Sequence, residues 1–252
     1  MKVYLLLTLS LALLVAAASA QTGFKRMQLR NPRVRQAYVQ KEPGVKALFK
    51  ARELTYPPKQ ILIRIFKQEM LLELWAADSA GTAMIPVKEY PVCASSGEPG
   101  PKRKRGDGQV PEGFYSINHF NPASNFHLSL GLDYPNRSDQ LLGDRDDPGS
   151  AIYIHGDCVT IGCIPITDEG IKELYLMALE ARNGGQEKVP VHLFPCRMEG
   201  STYQKMLEEH REDPVLLRFW DNLKQGYDFF GANKTVPRIM VDRKGSYFFN
   251  QP

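Results

Sequence analysis

The sequence predicts an α+β fold that is mainly β, with flanking helices and a C-terminal extension of helices and a hairpin. Three observations point there. Short apolar runs of strand length recur between Ile61 and Phe194, separated by turn-forming residues. One stretch, Thr167 to Asn183, instead repeats apolar residues at helical spacing. Beyond residue 198 the pattern changes to two helical segments and a closing pair of short β runs. At 252 residues, 43% hydrophobic and 24% charged, the chain has an ordinary globular profile with room for one or two domains. A net charge of +4 is too mild to argue for nucleic acid, and it would suit an anionic polymer without identifying one.

Residues 1–20 have the three parts of a secretory signal peptide: Lys2, the apolar run Leu5 to Ala18, and the small-residue site Ala18-Ser19-Ala20 before Gln21. A spanning helix needs roughly 20 apolar residues with suitable flanks, and no second stretch approaches that. No cysteine follows the run to carry a lipid. The expected product is a soluble, exported protein, periplasmic or secreted, cut after Ala20 and with no transmembrane segment once the signal is removed.

Residues 21–56 are a basic, lightly helical lead-in. Arg33, Arg35, Lys41 and Lys46 alternate with Val34, Ala37, Val45, Leu48 and Phe49, an amphipathic pattern. Pro43-Gly44 is expected to split it into two short helices. Pro57-Pro58 marks entry to the β-rich region. Ile61 to Phe66 and Leu71 to Ala76 are joined by Lys67-Gln68-Glu69, a hairpin signal. Val87 to Cys93 is the next strand, and Ser95 to Pro101 is a loop by composition.

Lys102-Arg103-Lys104-Arg105 invites a nuclear-localisation or nucleic-acid reading. The signal peptide argues against the first, and the lack of interleaved aromatics against the second. A solvated loop, or a contact to an acidic peptide, remains. Gly106 to Ile117 is a turn followed by a strand, and Phe126 to Leu130 alternates as a half-buried strand does. His119 and His127 are expected to be satisfied strand histidines. Tyr134 to Ser150, rich in Asp, Asn, Gly and Pro, is a long loop placed to border a cleft.

Thr167 opens the main helix, although Gly170 stands where a capping box would have Glu. Asn183-Gly184-Gly185 closes it. Val189 to Phe194 is a strand on which His192 is expected to be structural. In the tail, Tyr203, Met206 and Leu207 mark one helix, and Leu216 to Leu223 a second after Pro214. Tyr227, Phe229 and Phe230 follow as an aromatic turn, and 239–241 with 247–249 form a closing hairpin. The tail's aromatics are expected in a core rather than on a ligand platform.

The chemistry concentrates between Ile152 and Asp168: I-Y-I-H-G-D-C-V-T-I-G-C-I-P-I-T-D. A short β run delivers His155 into a turn, and a second turn at Gly162 presents Cys163. A thiol needs a base to serve as nucleophile near neutral pH, and imidazole is the usual one. Glycine before the cysteine lets bare backbone N–H groups face a bound carbonyl. Base, glycine and thiol in one loop point to acyl transfer through a thioester, and that mechanism needs no cofactor. An even number of cysteines in an exported chain favours disulfides, with three complete pairings open. One pair among Cys93, Cys158 and Cys196, leaving Cys163 free, is the expectation. Zinc on His155, Asp157, Cys158 and Cys163 fits poorly, because a matching second close pair is missing.

The loop, with H-G followed by [S/T]-x-G-C, resembles the active-site segment of the murein L,D-transpeptidases (the YkuD-like catalytic domain). It is most similar to their YafK-type branch, in which H-G-D-C-V-[S/T]-x-G-C is compact. Gly106 to Ile117 likewise resembles the family's T-P-x-G-x-[FY]-x-I segment. The likeness runs from about Pro57 to Met198 and, more weakly, into the tail.

That resemblance implies an L,D-transpeptidase-like catalytic domain over 57–198, between the lead-in and a C-terminal extension, 199–252, packed on it. It implies Cys163 as nucleophile and His155 as its base. The backbone around Ile161, Gly162 and Cys163 becomes the oxyanion site, with Thr160 and Asp157 supporting the histidine or the loop. It also implies a peptidoglycan stem peptide cut or joined at a diaminopimelate residue, with a wall-attached protein as a further partner. Two positions depart from the family. Ile161 stands where a histidine is usual, and Ile164-Pro165-Ile166 replaces the segment with the usual arginine, which leaves open how a substrate carboxylate is held. The competing class is a catalytically silent, disulfide-held wall-binding module.

Overall fold

The computed structural model describes residues 23–251; the signal-peptide expectation for 1–20 lies outside the described residues. A short helical segment, 23–28, leads into helix α1, Pro32–Ala51. Asn31 caps α1 by accepting from Arg33 N at 2.9 Å, and Pro32 sits in the first turn, where its missing N–H costs nothing. Pro43 does not break the helix, contrary to expectation. The carbonyl it leaves without a donor belongs to Val39, which is 80% exposed and open to water. Val34 and Ala37 before the proline, and Val45 and Phe49 after it, are all buried in one core, and that packing offsets a cost of about 3 kcal/mol.

The strands are β1 (Gln60–Phe66), β2 (Leu71–Ala77), β3 (Ile85–Pro91), β4 (Gly113–Asn121), β5 (Ser129–Leu132), β6 (Tyr153–His155), β7 (Ile164–Pro165) and β8 (Val189–Phe194). They form one curled sheet in the order β3-β2-β1-β8-β4-β5-β6-β7. β1 to β3 and β4 to β6 are two antiparallel meanders, and β8 joins them, parallel to β1 and antiparallel to β4. That weld requires both faces of β1 and β8 to be covered. Ile61, Ile63, Ile65, Val189, Val191 and Leu193 point into the main core. Helix α3, Thr167–Asn183, packs there too through Ile171, Leu174, Tyr175 and Ala178.

The other face carries Phe66, Phe114 and Phe194. It is covered by helices α4 (Gly200–Glu209) and α5 (Pro214–Asn233) and by the hairpin β9 (Arg238–Val241) and β10 (Tyr247–Asn250). Tyr227 and Phe230 do not form a turn; they lie within α5 and are buried. Asp213 caps α5 through the amides of Val215 and Leu216, so the helix starts firmly and runs past the expected break. Trp220 is fully buried and donates from Nε1 to Glu112 Oε2 at 2.8 Å. Glu112 Oε1 accepts from Lys67 Nζ at 2.9 Å and from Gly100 N at 2.8 Å, so this buried pair is satisfied on both sides.

Three other segments differ from expectation. Phe126 to Leu128 is a turn, and β5 begins only at Ser129. The long 134–150 loop contains a short helix, α2 (Arg137–Leu142), set by an Asn136–Asp139 capping box. The basic run is only partly solvated: Lys102 is buried against Asp107 and the Arg103 guanidinium lies 4.8 Å from the Phe219 ring centre, whereas Lys104 and Arg105 stay exposed, with Arg105 paired to Asp147 at the surface.

Candidate active site

β6 and β7 are parallel neighbours at the sheet edge, with Ile154 opposite Ile164 and His155 opposite Pro165. Ile154 and Ile164 both enter the main core. Side chains alternate along a strand, so Tyr153 and His155 project to the other side, and Cys163, next to Ile164, joins them. Parallel neighbours ordinarily need a crossover of about a dozen residues or more. Here the chain returns within 156–163 by turning through left-handed backbone at Asp157 (φ 59°) and Gly162 (φ 131°). A Cβ at Gly162 would lie 3.0 Å from the Gln109 carbonyl oxygen, so conformation and space both require glycine.

His155 is 1% exposed. Its Nδ1 contacts the Gly156 carbonyl oxygen, which can only accept, so the ring proton sits on Nδ1 and Nε2 is the basic nitrogen. The Phe126 ring packs on it at 4.7 Å between centres. Gly156 lets the 126–127 turn come this close, since a Cβ there would stand 3.0 Å from the Phe126 carbonyl oxygen and from His127 Cβ. Burial pushes the His155 pKa below its ordinary value, against the pull of the Gly156 carbonyl and Asp157. Burial likewise pushes the Cys163 thiol up, against the Tyr153 backbone and the Lys102 ammonium. At neutral pH the pair therefore rests as thiol and neutral imidazole. Cys163 Sγ lies 3.7 Å from the Ala151 carbonyl, beside a narrow slot lined by Ile65, Met70, Val92 and Val110.

Thr160 and Asp157 hold loop backbone rather than the histidine. The Thr160 hydroxyl donates to the Cys163 carbonyl at 2.8 Å and accepts from Gly162 N at 3.1 Å. Asp157 accepts from Cys158 N at 2.7 Å. Of the backbone donors expected around an oxyanion, Gly162 N–H is thus already engaged, whereas Cys163 N–H has no partner among the described residues. The groups that orient His155, the Gly156 carbonyl and Phe126, escaped the sequence reading. The H-G pair carried the first signal, and nothing carried the second. Thr167 does act as a cap, accepting from Gly170 N at 3.2 Å. His119 lies edge-on to Tyr153, and His192 is buried on the far face of the sheet.

Cys93 and Cys158 form a disulfide that ties the turn after His155 to the segment after β3; Cys163 and Cys196 keep free thiols. The bond closes a sequence separation of 65. In the chain-entropy account such a closure is worth about 4 kcal/mol, and measured values commonly fall at 2–4 kcal/mol. Replacing both cysteines by serine is expected to lower unfolding free energy by about that amount in urea titrations. An unchanged midpoint would show that the loop is held without the bond.

A histidine at the end of β6 and a free thiol just before β7, at the edge of a curled sheet covered on both faces, mark the candidate site of an α+β domain. Residues 60–193 match the model of the L,D-transpeptidase catalytic domain, YkuD. The chain belongs to that family, and the membership supports a peptidoglycan-related function. It is 34% identical over 194 residues to "Putative L,D-transpeptidase YafK" of Escherichia coli K12, covering 76% of this chain and 74% of that protein. Two solved structures overlap it more loosely. The helical cell shape determining protein Pgp2 of Campylobacter jejuni matches at 18% identity, 73% of each chain and a TM-score of 0.43. Bd1075 of Bdellovibrio bacteriovorus matches at 22% identity, 71% of this chain, 62% of the other and a TM-score of 0.40.

Proposed function

We propose that this protein is an exported, cysteine-dependent acyltransferase or hydrolase that works on peptidoglycan stem peptides through a thioester on Cys163. The reading rests on the free thiol just before β7, which strand alternation puts on the same side as a histidine on β6 whose Nδ1 is fixed by its own loop. Sγ attacks the carbonyl of a diaminopimelate peptide bond, and the thiol proton passes to His155 Nε2. Cys163 N–H faces the developing oxyanion; a donor of this kind is worth roughly 3–4 kcal/mol elsewhere. The amine departs with the proton from His155. A second amine then resolves the thioester by joining, or water does so by cutting, and a wall-attached protein is one candidate for what is joined or released.

In this reading residues 57–198 are the catalytic unit, flanked by 21–56 and 199–252, and the protein works in the periplasm or outside the cell. A silent wall-binding module is less well supported, because the disulfide near the site leaves Cys163 out.

The test is mass spectrometry of the full-length protein and its Cys163→Ala variant after incubation with peptidoglycan and purified stem peptides. The expected result is an acyl adduct on wild type that is missing from the variant, with joined or cleaved products accompanying it. Identical null behaviour of both proteins would sink the reading.

A further inference from the structure

A polar cavity of about 470 Å³ adjoins the catalytic loop, walled by Arg33, Asn125, His127, Asp157, Thr167 and Asp168. Asn125 and His127 flank Phe126, the ring that packs on His155, and Asp157 follows His155 by two positions. Arg33 comes from α1, outside the residues that match the family model. Its Nη1 donates to the carbonyls of Ser124 and His127, which anchors one arm of the guanidinium. Nη2 and Nε carry no hydrogen bond among the described residues. Opposite charge lies in the same cavity: Asp168 Oδ1 accepts from Asp157 N at 2.9 Å, and Oδ2 lies 3.8 Å from His127 Nδ1. His127 Nε2 is buried without any partner, an omission that calls for an explanation.

The backbone around the cavity is left-handed at several points. Among the described residues seven non-glycine positions have positive φ, and three of them, His127 (69°), Asp157 (59°) and Thr167 (66°), line this one cavity. For a β-branched threonine that conformation is a true outlier, and such strain collects where a ligand is held.

A ligand with only negative charge would meet Asp157 and Asp168, and one with only positive charge would meet Arg33. We propose that the cavity binds the zwitterionic end of an α-amino acid, one carbon bearing a free carboxylate and a free ammonium. Arg33 forks onto the carboxylate, and Asp168 with Asp157 receives the ammonium. The identity of that amino acid rests on the functional reading above, in which it is the free end of the diaminopimelate residue. Arg33 then supplies from the lead-in the cation that Ile164-Pro165-Ile166 lacks.

The experiment uses the full chain carrying Cys163→Ala, so that binding is measured without turnover. Calorimetry compares a stem tripeptide ending in meso-diaminopimelate with one ending in L-lysine, which keeps the side-chain ammonium but has no second carboxylate. The diaminopimelate peptide is expected to bind about tenfold tighter, as one charge-assisted pair would give. Adding Arg33→Met should erase that preference, and Asp168→Asn should weaken both peptides. Arg33→Lys, which keeps the charge and a donor for the Ser124 and His127 carbonyls, should fold normally and retain only part of the preference. Equal binding of the two peptides by the parent, or a preference that survives Arg33→Met, would overturn the proposal. If wild type forms no thioester while the Arg33-dependent preference stands, the reaction fails and this site remains.

Discussion

Cys163→Ala is expected to lower turnover on a diaminopimelate stem peptide by roughly ten-thousand-fold or more, and adding His155→Gln to it is expected to cost nothing further. In the proposed mechanism the two side chains handle one proton, so either loss removes the same step. His155→Gln alone should lie between roughly a hundred-fold and ten-thousand-fold down. Its pH profile should also differ. Burial holds the thiol above its ordinary value and the imidazole below its own, so the site stores little thiolate and the proposed attack needs His155 to take the proton. Wild type should level off once His155 is neutral, which happens below neutral pH. The glutamine variant should keep climbing with pH as bulk hydroxide takes over the deprotonation. Single-turnover rates across pH 5–10 would decide the matter. Additive losses in the double variant would show that the two residues act on separate steps.

The candidate site could be picked out from the sequence because the chemistry proposed for it is local. His155, Gly162 and Cys163 lie in one loop, and thiol, base and flexible backbone need no tertiary information to be recognised. The strand pattern was also legible, since Ile61 to Phe66 and Val189 to Phe194 announce themselves by length and β-branching. What escaped was set by contacts distant in sequence. Pro43 was read as a breaker on propensity, but packing on both sides of it overrides that preference. Phe126 to Leu128 alternates like a strand, yet Phe126 is drawn onto His155 and His127 turns left-handed to allow it. The first half of the basic run departs from the solvated reading because Asp107, Asp139 and Phe219, the partners of Lys102 and Arg103, are recognisable only in three dimensions, while Lys104 and Arg105 do stay exposed. Arg33 is the extreme case, since nothing near position 33 points to a cavity formed by residues 125–168.

His192→Leu and Asp139→Asn are expected to move stability in opposite directions with pH. On β8, His192 sits beside Arg64 on β1 and Phe114 on β4, with neither ring nitrogen hydrogen-bonded. Burial, with Arg64 adding to it, pushes its pKa down to about 3 from an ordinary 6.5. Between those values the unfolded chain holds the extra proton, so this contribution is full above 6.5 and is lost as pH falls toward 3. Asp139 is raised by burial from 3.8 to about 7, against the Asn136 amide and Arg103. There the folded chain holds the extra proton, so stability is lost as pH rises from 3.8 through 7. Each slope approaches about 1.4 kcal/mol per pH unit, and in wild type they largely cancel between pH 4.5 and 6.5. His192→Leu exchanges an unpaired imidazole for an apolar group of similar size, so it should cost little at pH 7 and leave Asp139 alone. That variant should grow more stable as pH falls, by about 3 kcal/mol relative to wild type between pH 7 and 4.5. Asp139→Asn keeps an oxygen for the capping box, removes the titration and leaves His192 alone, so it should become acid-labile over the same range. Urea titrations at each pH measure both, and the other carboxylates drop out because all three proteins share them. Three parallel curves would mean that neither group changes its protonation on folding.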